Sequence, residues 1–359
     1  MAWIILCLLT GVLVLLTLLP LSRHTVWWVR VWDFPRLQLA GLLLLLISAC
    51  LVLLDLTRPG SWLLLALNAT CLAWQSWWIL PYTRLWRYEV RPASAEQGER
   101  LRILVANVLA ANRRADLLLA QIQEYQPDLF VTLETNAWWQ QQLDSLQRDY
   151  PHTVKCPLEN LYGIHVYSRL PLRNTEIAWL VEEDVPSIHT EVLLAGGDPV
   201  QVHFLHPAPP SPTENDESTE RDVELLLVAK RVEGLDIPLI VTGDLNDVAW
   251  STTTRLFRKL SGLLDPRVGR GMFNTFHADH WYLRWPLDHI FHSSHFTLAN
   301  IQRLPHIGSD HFPVLVELRY HAAEQGQQGL DASTDDRALA EQKLQAEPAT
   351  PDEVPAPGR

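Results

Sequence analysis

At six places in the C-terminal two thirds of the chain, a polar residue stands where an apolar strand-like run stops. Asn107 closes LRILVANV, Glu134 closes DLFVTLE and His206 closes VQVHFLH. Asp244 and Asn246 end PLIVTGDLN, Asp288 lies in PLDHIFHS, and Ser309, Asp310 and His311 form GSDHFP just before another apolar run. A single Asp or Asn at such a position is ordinarily a turn former or a helix cap. Repeated across the whole segment, the pattern exceeds what turn chemistry asks for. The residue types are those of hydrolytic chemistry: carboxylates that ligate hard cations or take a proton, amides that donate, and histidines that change charge near neutral pH.

These residues need elements to position them. Residues 101–108 read as a buried strand, 112–125 carry helical spacing and 128–134 read as a second strand, the strand–helix–strand unit of an α/β layer. Further strands are expected at 161–168, 187–194, 199–206, 237–243, 287–293, 296–304 and 312–319, and helices at 137–149, 218–234 and 249–261. So many strands with so few helices predict two packed sheets flanked by helices, not one doubly wound sheet.

The ordered set N…LxE…HP…GDLN…DHIF…SDH, spread over essentially all of 101–320, resembles the endonuclease/exonuclease/phosphatase superfamily. That superfamily includes pancreatic-type deoxyribonucleases, AP endonucleases, neutral sphingomyelinases and inositol-polyphosphate 5-phosphatases. The resemblance implies a four-layer α/β sandwich with two central mixed sheets, and a phosphoesterase that uses Mg²⁺, with Mn²⁺ as a substitute. It assigns Glu134 as the principal metal ligand, with Asn107 supporting the same metal site or a phosphate oxygen and Asp310 binding metal or positioning water. A hard cation suits this set, since it prefers carboxylate oxygen and keeps several waters.

On the same likeness Asp244 orients and deprotonates the attacking water. Asn246, two residues on and so on the same strand face, donates to a phosphoryl oxygen. His311 takes its orientation from Asp288, and His206 contacts the phosphate and helps to protonate the leaving group. Whether an Asp or a His is the general base stays open. The expected substrate is a nucleic-acid phosphodiester, with lipid head groups or soluble phosphate esters as the alternative. A catalytically inactive membrane-bound interaction module is a third reading, which the complete residue set disfavours.

Other polar residues read more plainly. Arg221 is expected as a solvated helix-end arginine, Glu214 to Glu224 as a charged exposed loop and helix start, and His165, His289 and His292 as packing or solvent-facing residues. Cys7, Cys50 and Cys71 lie in the apolar N-terminal third and Cys156 stands alone, so there is neither a disulfide framework nor a CxxC metal pair.

The net charge of −12 is uneven. Residues 101–320 hold 18 Lys plus Arg against 28 Asp plus Glu, the opposite of the basic footprint of a tight duplex binder. The acidic segment 321–359, without an aromatic residue, has the composition of a disordered tail, and 83–100 reads as a linker.

Residues 1–82 are overwhelmingly Leu, Trp, Val and Ala. Three runs, at about 2–20, 39–56 and 62–82, approach the roughly 20 helical residues that cross a hydrocarbon core. The first lacks the basic start and A-x-A-like site of a signal peptide, and the second is apolar on every face. Trp27, Trp28 and Trp32 before the second run, with Trp77, Trp78, Tyr82 and Trp86 around the end of the third, fit interfacial belts. Arg23, Arg30 and Arg36 follow the first run and Arg84, Arg87 and Arg91 the third, against Arg58 alone after the second. This distribution predicts a multi-pass protein of the plasma (inner) membrane with the catalytic domain in the cytoplasm. Reporter fusions at residue 60 and at the C terminus should then report opposite sides; a periplasmic signal from the C-terminal fusion overturns the assignment.

Overall fold

The computed structural model of the chain describes residues 1–94 and 98–355. It begins with α1 (Ala2–Leu18), the one-turn α2 (Trp27–Arg30), α3 (Arg36–Leu53) and α4 (Pro59–Ile79). Three helices are thus long and apolar enough to cross a membrane. Leu6, Leu43, Leu46, Cys50 and Leu65 pack between them, while Leu8, Leu45 and Leu63 point outward. Polar pairs join them inside: Asn68 Nδ2 donates to Thr10 Oγ1 at 2.9 Å and Gln75 Nε2 to Thr17 Oγ1 at 3.1 Å. Such contacts hold apolar helices together where hydrophobicity cannot discriminate helix from lipid.

The remainder follows as β1 (Glu99–Asn107), α5 (Ala115–Tyr125), β2 (Leu129–Leu133), α6 (Ala137–Leu143), β3 (His152–Cys156), β4 (Ile164–Ser168), β5 (Leu172–Ala178), β6 (Ser187–Leu193) and β7 (Pro199–Leu205). Then come α7 (Thr219–Val232), β8 (Leu239–Asp244), α8 (Thr252–Ser261), β9 (Asp288–His292), β10 (Phe296–Arg303), β11 (Val314–Tyr320) and α9 (Thr334–Leu344). One sheet runs β10-β11-β1-β2-β4-β3 and the other β5-β6-β7-β8-β9. Ile103 and Val105 of β1 join Val131, Val202, Phe204 and Ile240 between the sheets, while the alternate Leu104 and Ala106 meet α5 and α6 on the outside. On the other sheet Val241 and Phe291 meet α7 and α8. The result is an α/β sandwich of two mixed sheets flanked by helices, preceded by apolar helices.

Two parallel pairs set the polar residues side by side. β1 runs parallel to β2 in one sheet and β7 parallel to β8 in the other, so Asn107 lies opposite Leu133, next to Glu134, and Gly243 opposite Leu205, next to His206. The antiparallel β9 brings Asp288 directly opposite Asp244. Gly243 is obligatory here: its φ is +144°, and a Cβ would lie 1.9 Å from the Leu205 carbonyl oxygen.

Several expectations are corrected. β3 and β5 were not foreseen, because both are edge strands with mostly half-buried or exposed residues and no buried face to leave a pattern. The expected linker is fixed to the domain: Val90 is buried between the sheets, Glu89 pairs with Arg258, and the Ala93 amide donates to the Leu298 carbonyl at 2.8 Å. Residues 95–97 of that stretch lie outside the described residues. The tail is not disordered up to Pro355. α9 is opened by a Ser333/Asp336 capping box, and Ala340 and Val354 are fully buried beside α7 and α8. Asp336 meets Lys259 at 2.8 Å and Lys343 meets the buried Asp222 at 2.6 Å. Averaged composition hid a few apolar anchors spaced to reach one groove; residues 356–359 lie outside the described residues.

Truncation after Leu330 should therefore lower the thermal midpoint by about 4 °C or more, since roughly 1 kcal/mol shifts a domain of this size by 2–4 °C and the cut removes both anchors, uncovers the groove that holds them and takes Lys343 from the buried Asp222. An unchanged midpoint in calorimetry means that the tail contributes nothing to the fold.

Candidate active site

The site lies where the carboxyl ends of the two parallel strand pairs meet. Asn107 Nδ2 donates to Glu134 Oε1 at 2.7 Å and to Asp244 Oδ2 at 3.1 Å, tying one sheet to the other. The side-chain Oδ1 of Asn107 accepts from the Leu109 backbone amide at 3.1 Å, which fixes the direction of the side-chain amide. Asp244 Oδ1 accepts from the Asn246 amide at 3.0 Å, leaving Oδ2 turned toward the cleft.

His311 sits between two carboxylates. Its Nδ1 is 2.8 Å from Asp288 Oδ2 and its Nε2 is 3.4 Å from Asp244 Oδ2. Thr275 Oγ1 accepts from the Asp288 amide at 3.2 Å, and the Ser309 hydroxyl oxygen accepts from the His311 amide at 3.1 Å, so both backbones are held. Burial pushes the His311 pKa down, but Asp244 and Asp288 override it and hold it up at about 10. Burial also opposes charge on Asp244, yet His311 keeps that carboxyl below its ordinary value. The pair therefore rests as carboxylate and imidazolium. His206, at the end of β7, is buried with no partner on Nδ1, and burial lowers its pKa to about 4, leaving it neutral.

All eight residues singled out from the sequence converge. Glu134, His206, Asp244, Asn246, Asp310 and His311 line a single cleft of about 400 Å³, Asn107 is bonded to two of them and Asp288 to one. The reason given for Asn246 fails, however. β8 stops at Asp244, and Asn246 lies beyond it in a left-handed turn (φ 49°), its Nδ2 donating to the Pro207 carbonyl at 3.0 Å. Leu109 and Glu134 also adopt positive φ, 58° each. Left-handed non-glycine residues are uncommon and gather at functional sites, where surrounding structure enforces them.

Arg221 is the clearest misreading. It is 1 % exposed, donates to the Asn246 carbonyl at 2.8 Å and to Asp222 at 2.8 Å, and so holds the Asn246 turn from behind. Its neighbours Asp222 and Glu224 are buried too, so in the run Glu214 to Glu224 the loop residues Glu214, Asp216 and Glu217 are exposed as expected but the helix start is not. A buried guanidinium must be paired, and here one partner is the adjacent Asp222 and the other a backbone carbonyl 25 residues away, which no linear pattern displays. Tyr162, hydrogen-bonded to Glu214 and facing His206 at a ring distance of 5.4 Å, was also missed. So were Val31 and Phe34, which reach the cleft from between the first two long helices.

The donor set fits a hard divalent cation. Glu134 Oε2 is buried without a hydrogen-bond partner among the described residues, and Asp244 and Asp310 bring two more carboxyls to the same cleft against one imidazolium. Burial, with Asp310 adding to it, raises the Glu134 pKa to about 7. A cation ligated by Glu134 and Asp310 beside Asn107 would remove this frustration.

Residues 104–311, more than half of the chain, match the model of the Endonuclease/Exonuclease/phosphatase family. Among solved structures, an endonuclease/exonuclease/phosphatase from Beutenbergia cavernae aligns with TM-score 0.53 and 18% identity, covering 66% of this chain and 76% of its own. D. rerio TDP2 complexed with a single strand DNA product aligns with TM-score 0.51 and 18% identity, covering 61% and 99%. The human Nocturnin catalytic domain with bound sulfate aligns with TM-score 0.51 and 18% identity, covering 62% and 95%. At such identities these structures share the fold. No curated protein sequence matches the chain.

If Glu134 is the main ligand, Mn²⁺ titrated into the full chain and followed by calorimetry should bind about tenfold or more weakly to Glu134→Gln than to the wild type. Equal affinity moves the cation elsewhere.

Proposed function

Because the chain belongs to the endonuclease/exonuclease/phosphatase family, we propose that it is a membrane-anchored, divalent-metal-dependent phosphoester hydrolase. The observation that carries this reading is the array Glu134–Asn107–Asp244–His311–Asp288 at the wall of one cleft, joined by hydrogen bonds except for the 3.4 Å ion pair between Asp244 and His311. Three apolar helices supply the anchor.

Each residue then has a task suited to its charge state. Asp244, ionised and held by Asn107 and the Asn246 amide, orients a water and takes its proton as the water oxygen bonds to phosphorus. His311, already protonated, is no base; it donates from Nε2 to the phosphoryl oxygen as negative charge grows there. Asp288 keeps that imidazolium charged and turned. The P–O bond to the leaving group breaks, and the departing oxygen takes up a proton. His206, held neutral, is suited to donating one N–H to a phosphate oxygen and not to delivering the proton first expected of it. Glu134 and Asp310 would hold the cation, with Asn107 beside them. When bound, Mg²⁺ or Mn²⁺ supplies Lewis-acid polarisation of the phosphoryl oxygen and offsets the carboxylates.

Nucleic-acid diesters are one substrate class, supported by D. rerio TDP2, which was solved with a single strand DNA product. Esters carried by lipid are the second, favoured by the wall that Val31 and Phe34 contribute to the cleft.

Turnover of bis-p-nitrophenyl phosphate by the full chain in detergent should vanish with excess chelator. Asp244→Asn and His311→Ala should each lower kcat by about a thousandfold, unrelieved by added metal, whereas the defect of Glu134→Gln should shrink as Mn²⁺ is raised. Asp288→Asn should resemble His311→Ala, and the double variant should be little worse than either. Full activity in chelator, or additive losses at 288 and 311, contradicts these roles.

A further inference from the structure

The segment joining the first two long helices is built into the catalytic domain. The Trp27 amide donates to the Asp216 carbonyl at 2.9 Å, the Ser218 amide to the Thr25 carbonyl at 2.9 Å, and Trp250 Nε1 to the Asp33 carbonyl at 2.8 Å. Asp33 itself is buried between Arg30 at 3.4 Å and Arg36 at 2.5 Å, which stiffens the turn carrying Phe34. The end of the third long helix is fixed on the same side, with Tyr82 Oη donating to the Ala249 carbonyl at 2.6 Å and Ile79 packed beside Val248 and Trp250. The turn on the other side of the bundle is paired with itself, Asp55 to the exposed Arg58 at 3.2 Å.

From this junction an apolar path leads to the catalytic histidine. Phe34 meets Trp285 edge-on at 5.6 Å, Trp285 stacks on Phe276 at 6.2 Å, and Phe276 lies 5.0 Å from the His311 ring. Beside the path, Gln38 in the first turns of α3 donates to the Tyr282 carbonyl at 2.9 Å. That contact sets Trp281 (78% exposed) and Tyr282 (54% exposed) by the start of α3, and Trp28 in the segment before α3 is exposed as well. Exposed aromatics at the ends of membrane-crossing helices sit at head-group depth. The cleft therefore opens at the bilayer surface, and one of its walls is made by the anchor.

A soluble polyanion has no use for such a wall and needs a basic groove, while this domain carries 18 basic against 28 acidic residues. An amphiphile in the membrane does use it: its phosphate need rise only as far as the head-group plane while its chains stay in lipid and along the aromatic path. Resting on the hydrolase reading above, we propose that the substrate is a phosphate ester borne by a membrane lipid, and that Val31 and Phe34 of the inter-helix segment are its specificity-determining residues. Contact with the lipid body makes the reaction at the phosphate selective without any base-reading surface.

The test uses the full chain in mixed micelles with Mn²⁺. Phosphatidylglycerol, phosphatidylethanolamine and phosphatidic acid are compared with their deacylated head-group esters, a single-stranded oligodeoxynucleotide and bis-p-nitrophenyl phosphate. At least one lipid should exceed its deacylated form in kcat/KM by about a hundredfold, and Phe34→Ala and Val31→Ser should each lower the ratio of lipid to bis-p-nitrophenyl phosphate kcat/KM about tenfold. Using that ratio separates loss of recognition from loss of fold. Hydrolysis of the oligonucleotide or the deacylated esters as fast as the lipids, or of bis-p-nitrophenyl phosphate with no lipid turned over, overturns the lipid assignment and leaves the hydrolase reading standing. No turnover on any arm removes both.

Discussion

The amide of Asn107 donates to carboxylates that belong to different sheets, Glu134 after β2 and Asp244 at the end of β8. Everything else in the site depends on that junction. Two sheets packed face to face bring only their apolar sides together; a polar bond at one edge fixes how their strand ends line up. With Asp244 so placed, β9 presents Asp288 opposite it, and His311 fits between the two carboxyls. The burial that makes these charges costly also makes them interdependent, because His311 keeps Asp244 ionised while Asp244 and Asp288 keep His311 protonated.

The site was legible because its residues interrupt apolar strands, and strands buried on both faces tolerate few polar residues. Asn107, Glu134, Asp244 and Asp288 stood out for that reason. What stayed hidden is of another kind. Arg221 looks like any arginine near a helix start; its burial follows from Asp222 beside it and a backbone carbonyl of the Asn246 turn. The left-handed conformations at Leu109, Glu134 and Asn246 leave no mark when the residue is not glycine. The ordered tail escaped notice since Ala340 and Val354 are few and small, and the groove that receives them is made elsewhere in the chain. β3 and β5 carry no buried face to read.

The least legible feature is the union of the apolar helices and the domain. Hydropathy separates the chain into an apolar third and a polar remainder, which suggests two independent parts. Trp250, Tyr82 and Asp33 join them through backbone carbonyls, and Val31 and Phe34 carry the junction into the cleft. Helices that merely tethered the domain would need none of these contacts. Their presence ties the geometry of the site to the ends of the apolar helices.

The central claim is that this array directs a water to phosphorus. The most direct measurement is a single turnover of bis-p-nitrophenyl phosphate in ¹⁸O-enriched water, with the product phosphate ester read by ³¹P resonance. One ¹⁸O on the phosphoryl group, and none in the nitrophenol, is the predicted result. Label in the nitrophenol, or unlabelled phosphate product, would contradict the account.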